Sequence, residues 1–139
     1  LRESEKPMIL LAGGTGFAPI KSIVLETLHL ELQRPIHIYW GARDRAGLYQ
    51  YEVAEDWAAK YPHIKFIPVL SEPELTPGWS GRTGLVHEAV LADFPDLSGH
   101  EVYACGAPGM IAAARADCQG KGNLPEDAFF ADSFEFAAN

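Results

Sequence analysis

The sequence predicts an α/β fold built on a parallel sheet. Two observations carry this reading. Strand-length apolar runs alternate with helix-length runs along the chain, the pattern of successive βαβ units. Three of those strand-like runs also end in glycine-bearing loops, where open parallel sheets bind their ligands.

Taken in order, Met8-Ile9-Leu10-Leu11-Ala12 is short, continuous and apolar, as a strand covered on both faces should be. It ends in Gly13-Gly14-Thr15-Gly16, and a helix is expected from Phe17. Ile20, Ile23, Val24 and Leu28 then fall on one helical face. Pro19 fits the first turn, where a missing N–H costs nothing, and Pro35 closes the segment. Residues 36–40 read as the second strand, ending at Gly41. A second helix should follow, with Tyr49, Val53 and Trp57 on one face and Pro62 at its end. Residues 64–70 form the third strand. Pro68 there removes a ladder donor, so this strand is expected at an edge or with a bulge. Residues 71–84 read as a loop and 85–91 as a short helix. Residues 102–105 form the fourth strand, 110–118 the fourth helix, and Ala128-Phe129-Phe130 begins a last strand.

A chain of 139 residues suits one domain. It can bury roughly two-thirds of its unfolded surface and needs no staples. Apolar residues make up 47% and charged residues 22%, ordinary for a globular protein. The net charge of -8 argues against nucleic-acid or anionic-membrane partners, since no basic surface is available to neutralise phosphates. A phosphate ligand stays open, because backbone N–H groups and one or two basic side chains suffice to hold it. Two cysteines, Cys105 and Cys118, are too few for a disulfide scaffold or a four-cysteine iron–sulfur site. The sequence carries no signal-peptide pattern and no apolar run of membrane-spanning length, so the expected compartment is the cytoplasm. The first residue is Leu1 and not methionine, which fits a fragment of a longer chain.

The first loop, Gly13 to Gly16, allows close backbone approach to a ligand, and the helix start behind it offers N–H groups to an anion. Thr15 adds a hydroxyl. The phosphate-loop motif fails, because Lys21-Ser22 is preceded by Ile20. The common dinucleotide fingerprint fails too, because Pro19 stands where a small residue belongs. The second loop, Gly41-Ala42-Arg43-Asp44-Arg45, lies where the adenosine ribose of a dinucleotide would sit in a doubly wound sheet. An arginine there can meet a 2′-phosphate and an acid a free 2′-hydroxyl, and this loop offers both. For Arg45 a solvated charged turn is an equally good reading. The third loop is Cys105-Gly106-Ala107-Pro108-Gly109-Met110. A cysteine at a buried strand end is usually a small hydrophobe, and no histidine or lysine stands near it in sequence to activate its sulfur. The five histidines, His29, His37, His63, His87 and His100, show no metal-ligand spacing, and Gly78-Trp79-Ser80-Gly81 is not a serine-nucleophile elbow.

Five segments occur in a telling order: Gly13-Gly14-Thr15-Gly16-Phe17-Ala18-Pro19, Tyr39-Trp40-Gly41-Ala42-Arg43, Gly78-Trp79-Ser80-Gly81-Arg82-Thr83-Gly84, Cys105-Gly106-Ala107-Pro108-Gly109-Met110 and Phe130-Ala131-Asp132-Ser133-Phe134. Together they resemble the C-terminal half of the ferredoxin–NADP reductase superfamily, over nearly the whole chain. The branch most resembled holds the NAD(P)H–flavin reductases, the CDP-6-deoxy-hexoseen reductases and the reductase components of bacterial oxygenases. The resemblance implies a doubly wound, parallel five-stranded sheet in the order 3-2-1-4-5, with helices on both faces and a switch point between strands one and four. It implies that Gly13, Gly14, Thr15 and Gly16, with Pro19 behind them, hold the pyrophosphate and nicotinamide side of NADH or NADPH. Gly41 and Arg43 would face the adenosine ribose or its phosphate. Cys105 and Gly106 would lie near the nicotinamide, and Pro108 and Met110 would shape the adenosine side. Phe134 would pack on a flavin ring and guard its face, so Cys105 and Phe134 are the residues expected at the reacting centre. Arg82 and Thr83 receive no role.

The same resemblance implies a single NAD(P)-binding domain over residues 1–139, belonging to a longer reductase. Its flavin-binding partner domain, with FAD, would lie outside these residues. An iron–sulfur domain or an electron-acceptor protein would be a further partner. The branch tends to use NADH, while Arg43 and Arg45 leave room for NADPH. The rival expectation is a standalone nucleotide-binding or regulatory module without redox activity.

Overall fold

A computed structural model describes residues 4–133. Its centre is a six-stranded, all-parallel sheet in the order β4-β3-β2-β1-β5-β6. The strands are β1 (Met8–Gly13), β2 (Ile36–Ala42), β3 (Ile64–Leu70), β4 (Arg82–Thr83), β5 (Glu101–Gly106) and β6 (Phe129–Ser133). The α-helices are α1 (Phe17–His29), α2 (Tyr51–Lys60), α3 (Val86–Asp93) and α4 (Pro108–Gly120).

Alternation along the strands decides which helix goes where. Met8, Leu10 and Ala12 of β1 point to the face covered by Phe17, Ile20 and Val24 of α1 and by Ala54 and Trp57 of α2. Ile9 and Leu11 point to the other face, under Val86, Ala89 and Val90 of α3 and Ile111, Ala114 and Cys118 of α4. All the side chains of residues 8–12 are fully buried, which explains why the run shows no polar alternation. The chain winds from β1 out to β3 with α1 and α2 on one face. It then returns through α3 and α4 on the other, so the winding reverses between β1 and β5.

The predicted order 3-2-1-4-5 is present, with one strand more than expected. Residues 82–83, read from sequence as loop, form the two-residue edge strand β4, pairing through Val69 and Leu70 of β3. A two-residue strand is too short to show any periodicity, which is why composition marks it only as loop. Pro68 lies immediately before the first β3 residue that pairs with β4, so the outer edge of β3 is uncovered up to that point. A second difference is local. Tyr49 lies ahead of α2 and not on its buried face; Tyr49 instead meets the Trp40 ring edge-on at 5.2 Å.

The strands are tied at their amino ends. Backbone N–H groups of Met8, Ile36 and Glu101 donate to the carbonyls of Pro35, His63 and Pro7 at 2.8, 2.8 and 3.0 Å. Beside them Arg34 Nη2 meets Glu101 Oε1 at 2.6 Å, with side-chain exposures of only 4% and 1%. Arg34 Nε also donates to the Lys6 carbonyl at 3.0 Å. A charge pair so fully desolvated adds little net stability against apolar substitutes, but removing one partner strands the other charge in the core. Glu101→Leu should therefore lower the unfolding free energy by about 3–5 kcal/mol in urea denaturation, and adding Arg34→Met should recover most of that loss.

Candidate functional site

At the carboxyl end of the sheet, where the winding reverses, α1 and α4 leave on opposite faces and open a crevice. The loop after β1 is a short 3₁₀ turn, Gly14–Gly16, with Thr15 in its middle. Gly14 has φ +53° and open space where a Cβ would stand, so its backbone is exposed to a ligand. Gly16 has the opposite surroundings. A Cβ there would lie 2.3 Å from the Cys105 carbonyl oxygen, so the glycine is what lets the start of α1 sit on the end of β5.

Trp40, in β2, fixes this loop from the side. Its indole N–H donates to the Gly14 carbonyl at 2.8 Å, and its ring stacks on Phe17 at 4.1 Å and 10°. Such a ring pair is worth about 0.5–1.5 kcal/mol beyond its buried area. Neither α1 nor α4 carries an acidic residue in its first turn or a side-chain cap. Their leading N–H groups and positive dipole ends are therefore left without a competing carboxylate in the first turn. Pro108 opens α4 and Pro19 sits in the first turn of α1; both help to start their helices, and neither lines the crevice.

Between the ends of β1, β2 and β3 lies a cleft of about 230 Å³. Gly13, Gly14, Gly41, Arg43 and Met110 all line it, so five of the expected binding residues converge. The Met110 thioether reaches across: a Cβ on Gly13 or Gly106 would lie 2.9 or 2.6 Å from its terminal methyl. Cys105 is 3% exposed and packs in the core on the α1 face. Phe134 lies outside the described residues. The other cysteine, Cys118, is buried on α4. Burial, then the Asp117 carboxylate, pushes its thiol up to about 11, so it is protonated and unreactive at neutral pH.

The charged loop after β2 is largely self-satisfied. Asp44 caps its own turn by accepting from the Gly47 N–H at 3.0 Å. Arg45 lies 3.9 Å over the Tyr51 ring and reaches Glu52 at 3.0 Å, and neither residue lines the cleft. Arg43 alone of the three faces the cleft, and its guanidinium is paired with Glu72 at the end of β3. The hydrogen bond to Glu72, then its charge, raises the already high Arg43 pKa further.

Sequence reasoning missed the third wall, formed by Gly84, Leu85 and Val86 ahead of and within the start of α3. The signal was present: Gly84, at φ +103°, punctuates a strand-to-helix turn as Gly14 does. Behind this wall Asp93 Oδ2 accepts from the Tyr39 hydroxyl at 2.6 Å and from Arg82 Nη1 at 2.9 Å. Burial acts to raise the Asp93 carboxyl, but hydrogen bonds from Arg82 and Tyr39 outweigh it and hold it below the usual range. Among the described residues no three His, Cys, Asp or Glu side chains are grouped to hold a metal ion.

The profile described as the oxidoreductase NAD-binding domain matches residues 10–116. The chain belongs to that family. It is 48% identical over 134 residues to a CDP-6-deoxy-L-threo-D-glycero-4-hexulose-3-dehydrase reductase of Yersinia pestis, covering 96% of this chain and 40% of that protein. It is 39% identical to an NAD(P)H-flavin reductase of Aliivibrio fischeri, covering 96% of this chain and 56% of that protein. Among solved structures, the Amycolatopsis cytochrome P450 reductase GcoB superposes with a TM-score of 0.86 at 28% identity, over 96% of this chain and 39% of that one. This NAD-binding domain thus spans about half or less of the reductases it matches. No helix among its described residues is long and apolar enough to cross a membrane.

One pH dependence follows from the domain's electrostatics. Burial first, then the hydrogen bond to Asp93, pushes the Tyr39 phenol far above its ordinary 10.0. A raised folded-state value means that the stability it contributes is complete below pH 10 and is lost as pH rises beyond it. Urea midpoints followed from neutral pH into the alkaline range should fall above pH 10, and Tyr39→Phe should flatten that fall.

Proposed function

We propose that this chain is the nucleotide-binding half of an NAD(P)H-dependent flavin reductase, and that it binds the dinucleotide across the switch point. The observation that carries this reading is the convergence of Gly13 and Gly14, the Gly41–Arg43 loop and Met110, in the first turn of α4, on one cleft. The donor set suits the ligand. Uncapped helix starts and the exposed Gly14 backbone suit a pyrophosphate. The apolar surfaces of Ala42, Leu85, Val86 and Met110 suit the adenosine end.

When bound, the reduced nicotinamide supplies a hydride to a flavin, which the remaining part of the full-length protein would hold. The residues of this chain bind and orient. Gly16 and Gly106 keep the β1 and β5 ends close enough for one ligand to touch both loops. Trp40 holds the Gly14 carbonyl turned away from the anion's place, because its indole N–H already occupies it. Cys105 acts by shape, from within the core, and contributes no nucleophile. The flavin-binding domain of the same chain is the expected partner, and the relatives named above support an onward electron acceptor whose identity belongs to that longer protein.

Of the two coenzymes NADH is the better fit. Glu72 already pairs with Nε of Arg43, which among the described residues is the one basic side chain lining the cleft, and a 2′-phosphate there would meet the charge of that carboxylate. Titration followed by nicotinamide fluorescence should show binding of NADH at or below millimolar concentration; silence with both coenzymes would overturn the reading. Glu72→Gln releases Arg43 and should improve NADPH affinity relative to NADH by roughly two- to fivefold, the range of an exposed ion pair.

A further inference from the structure

The third wall of the cleft has little sheet to hold it. β4 is two residues long and pairs only with Val69 and Leu70. α3 is an eight-residue helix whose start lacks a side-chain cap. Yet the two sides of this wall meet at one carboxylate oxygen. Asp93, the last residue of α3, accepts there from Tyr39 in the buried centre of β2 and from Arg82 in β4. Arg82 also donates from Nη2 to the Ala89 carbonyl inside α3 at 3.3 Å, while its own carbonyl accepts from the Trp79 indole at 3.0 Å. Arg82 therefore ties the strand before the turn to the helix after it. Tyr39 ties the far end of that helix to the sheet.

The inward direction is blocked independently. A Cβ on Gly41 would lie 2.8 Å from Val86 Cβ, so the start of α3 already rests on the β2 backbone. The motion left is outward, and it is the one the Asp93 junction resists. From these contacts we infer that Arg82 and Asp93 are positioning residues for the dinucleotide: they hold the Gly84–Val86 wall at the width that grips the adenosine end, without touching the ligand themselves. The inference rests on the proposed reading of the cleft, and it gives Arg82 a role that its place in the chain does not suggest.

The adenosine and phosphate parts of the ligand are predicted to respond differently, which separates positioning from general loosening. Asp93→Asn and, as a second variant, Arg82→Gln should weaken ADP-ribose binding to the 139-residue chain by roughly tenfold. Affinity for inorganic pyrophosphate, which needs only the α1 and α4 starts, should stay within twofold. Arg82→Lys, which keeps the charge but not the two-point grip, should fall between wild type and Arg82→Gln. Chemical-shift titration reads all of these, and a cooperative melt of each variant confirms that it folds. If the folded variants bind ADP-ribose like wild type, or lose ADP-ribose and pyrophosphate together, the positioning role is overturned. If wild type binds neither ligand, the reading of the cleft falls, and this inference with it.

Discussion

The start of α1 rests on the end of β5 with no space between them for a side chain. A Cβ at residue 16 would stand 2.3 Å from a backbone carbonyl, which cannot move away as a side-chain tip could. Most of the site depends on this contact. It brings the loop after β1 beside the loop after β5, although 89 positions separate Gly16 from Cys105 in sequence. It also sets the direction in which α1 departs, and so the side on which the crevice opens. The glycine is needed for packing here. The neighbouring Gly14 is needed for its conformation and its open space, so one glycine cluster divides into a packing contact at Gly16 and an exposed stretch of backbone at Gly14.

Trp40 makes that arrangement rigid. The residue belongs to a central strand, is fully buried, and still spends its only polar atom on the Gly14 carbonyl. A buried indole N–H without a partner would cost about 1–3 kcal/mol, so the strand and the loop hold each other in register. The same design appears at the opposite wall. Tyr39, the preceding residue, points to the other face and spends its hydroxyl on Asp93. Two adjacent aromatic residues of β2 thus brace both flanks of the cleft, and period-two alternation sends one to each side.

Much of this was legible in the sequence, for a physical reason. Strands buried on both faces need unbroken apolar runs, and residues 8–12 have one; loops that hug a ligand or another strand need glycine, and Gly13, Gly14, Gly16, Gly41 and Gly106 supply it. What was not legible depends on partners distant in sequence. Arg43 and Arg45 look alike in the chain, but Glu72 holds the first at the cleft while Tyr51 and Glu52 draw the second away. Asp44, read as a candidate ribose ligand, is committed to a turn three residues long. From sequence Arg82 is an unassigned loop residue, because its meaning lies in Asp93, and Asp93 matters only once β2 has placed Tyr39 beneath it.

Charge completes the picture. A chain of net charge -8 must still receive an anion, and bulk attraction cannot help it. The structure answers locally. Among the described residues, none of the side chains lining the cleft is acidic, and Glu72, just outside, is paired with Arg43. The first turns of α1 and α4 also lack acids, whereas α2 and α3 carry Glu52 and Glu88 in theirs. Helix dipoles act over about one turn, so keeping carboxylates out of those two turns matters more than the total. Recognition of this kind depends on contact, with little long-range steering. On the proposed reading, a ligand would seat against the Gly14 backbone and the starts of α1 and α4 before it gained anything, and this would favour an extended dinucleotide that can touch both loops at once over a small free anion.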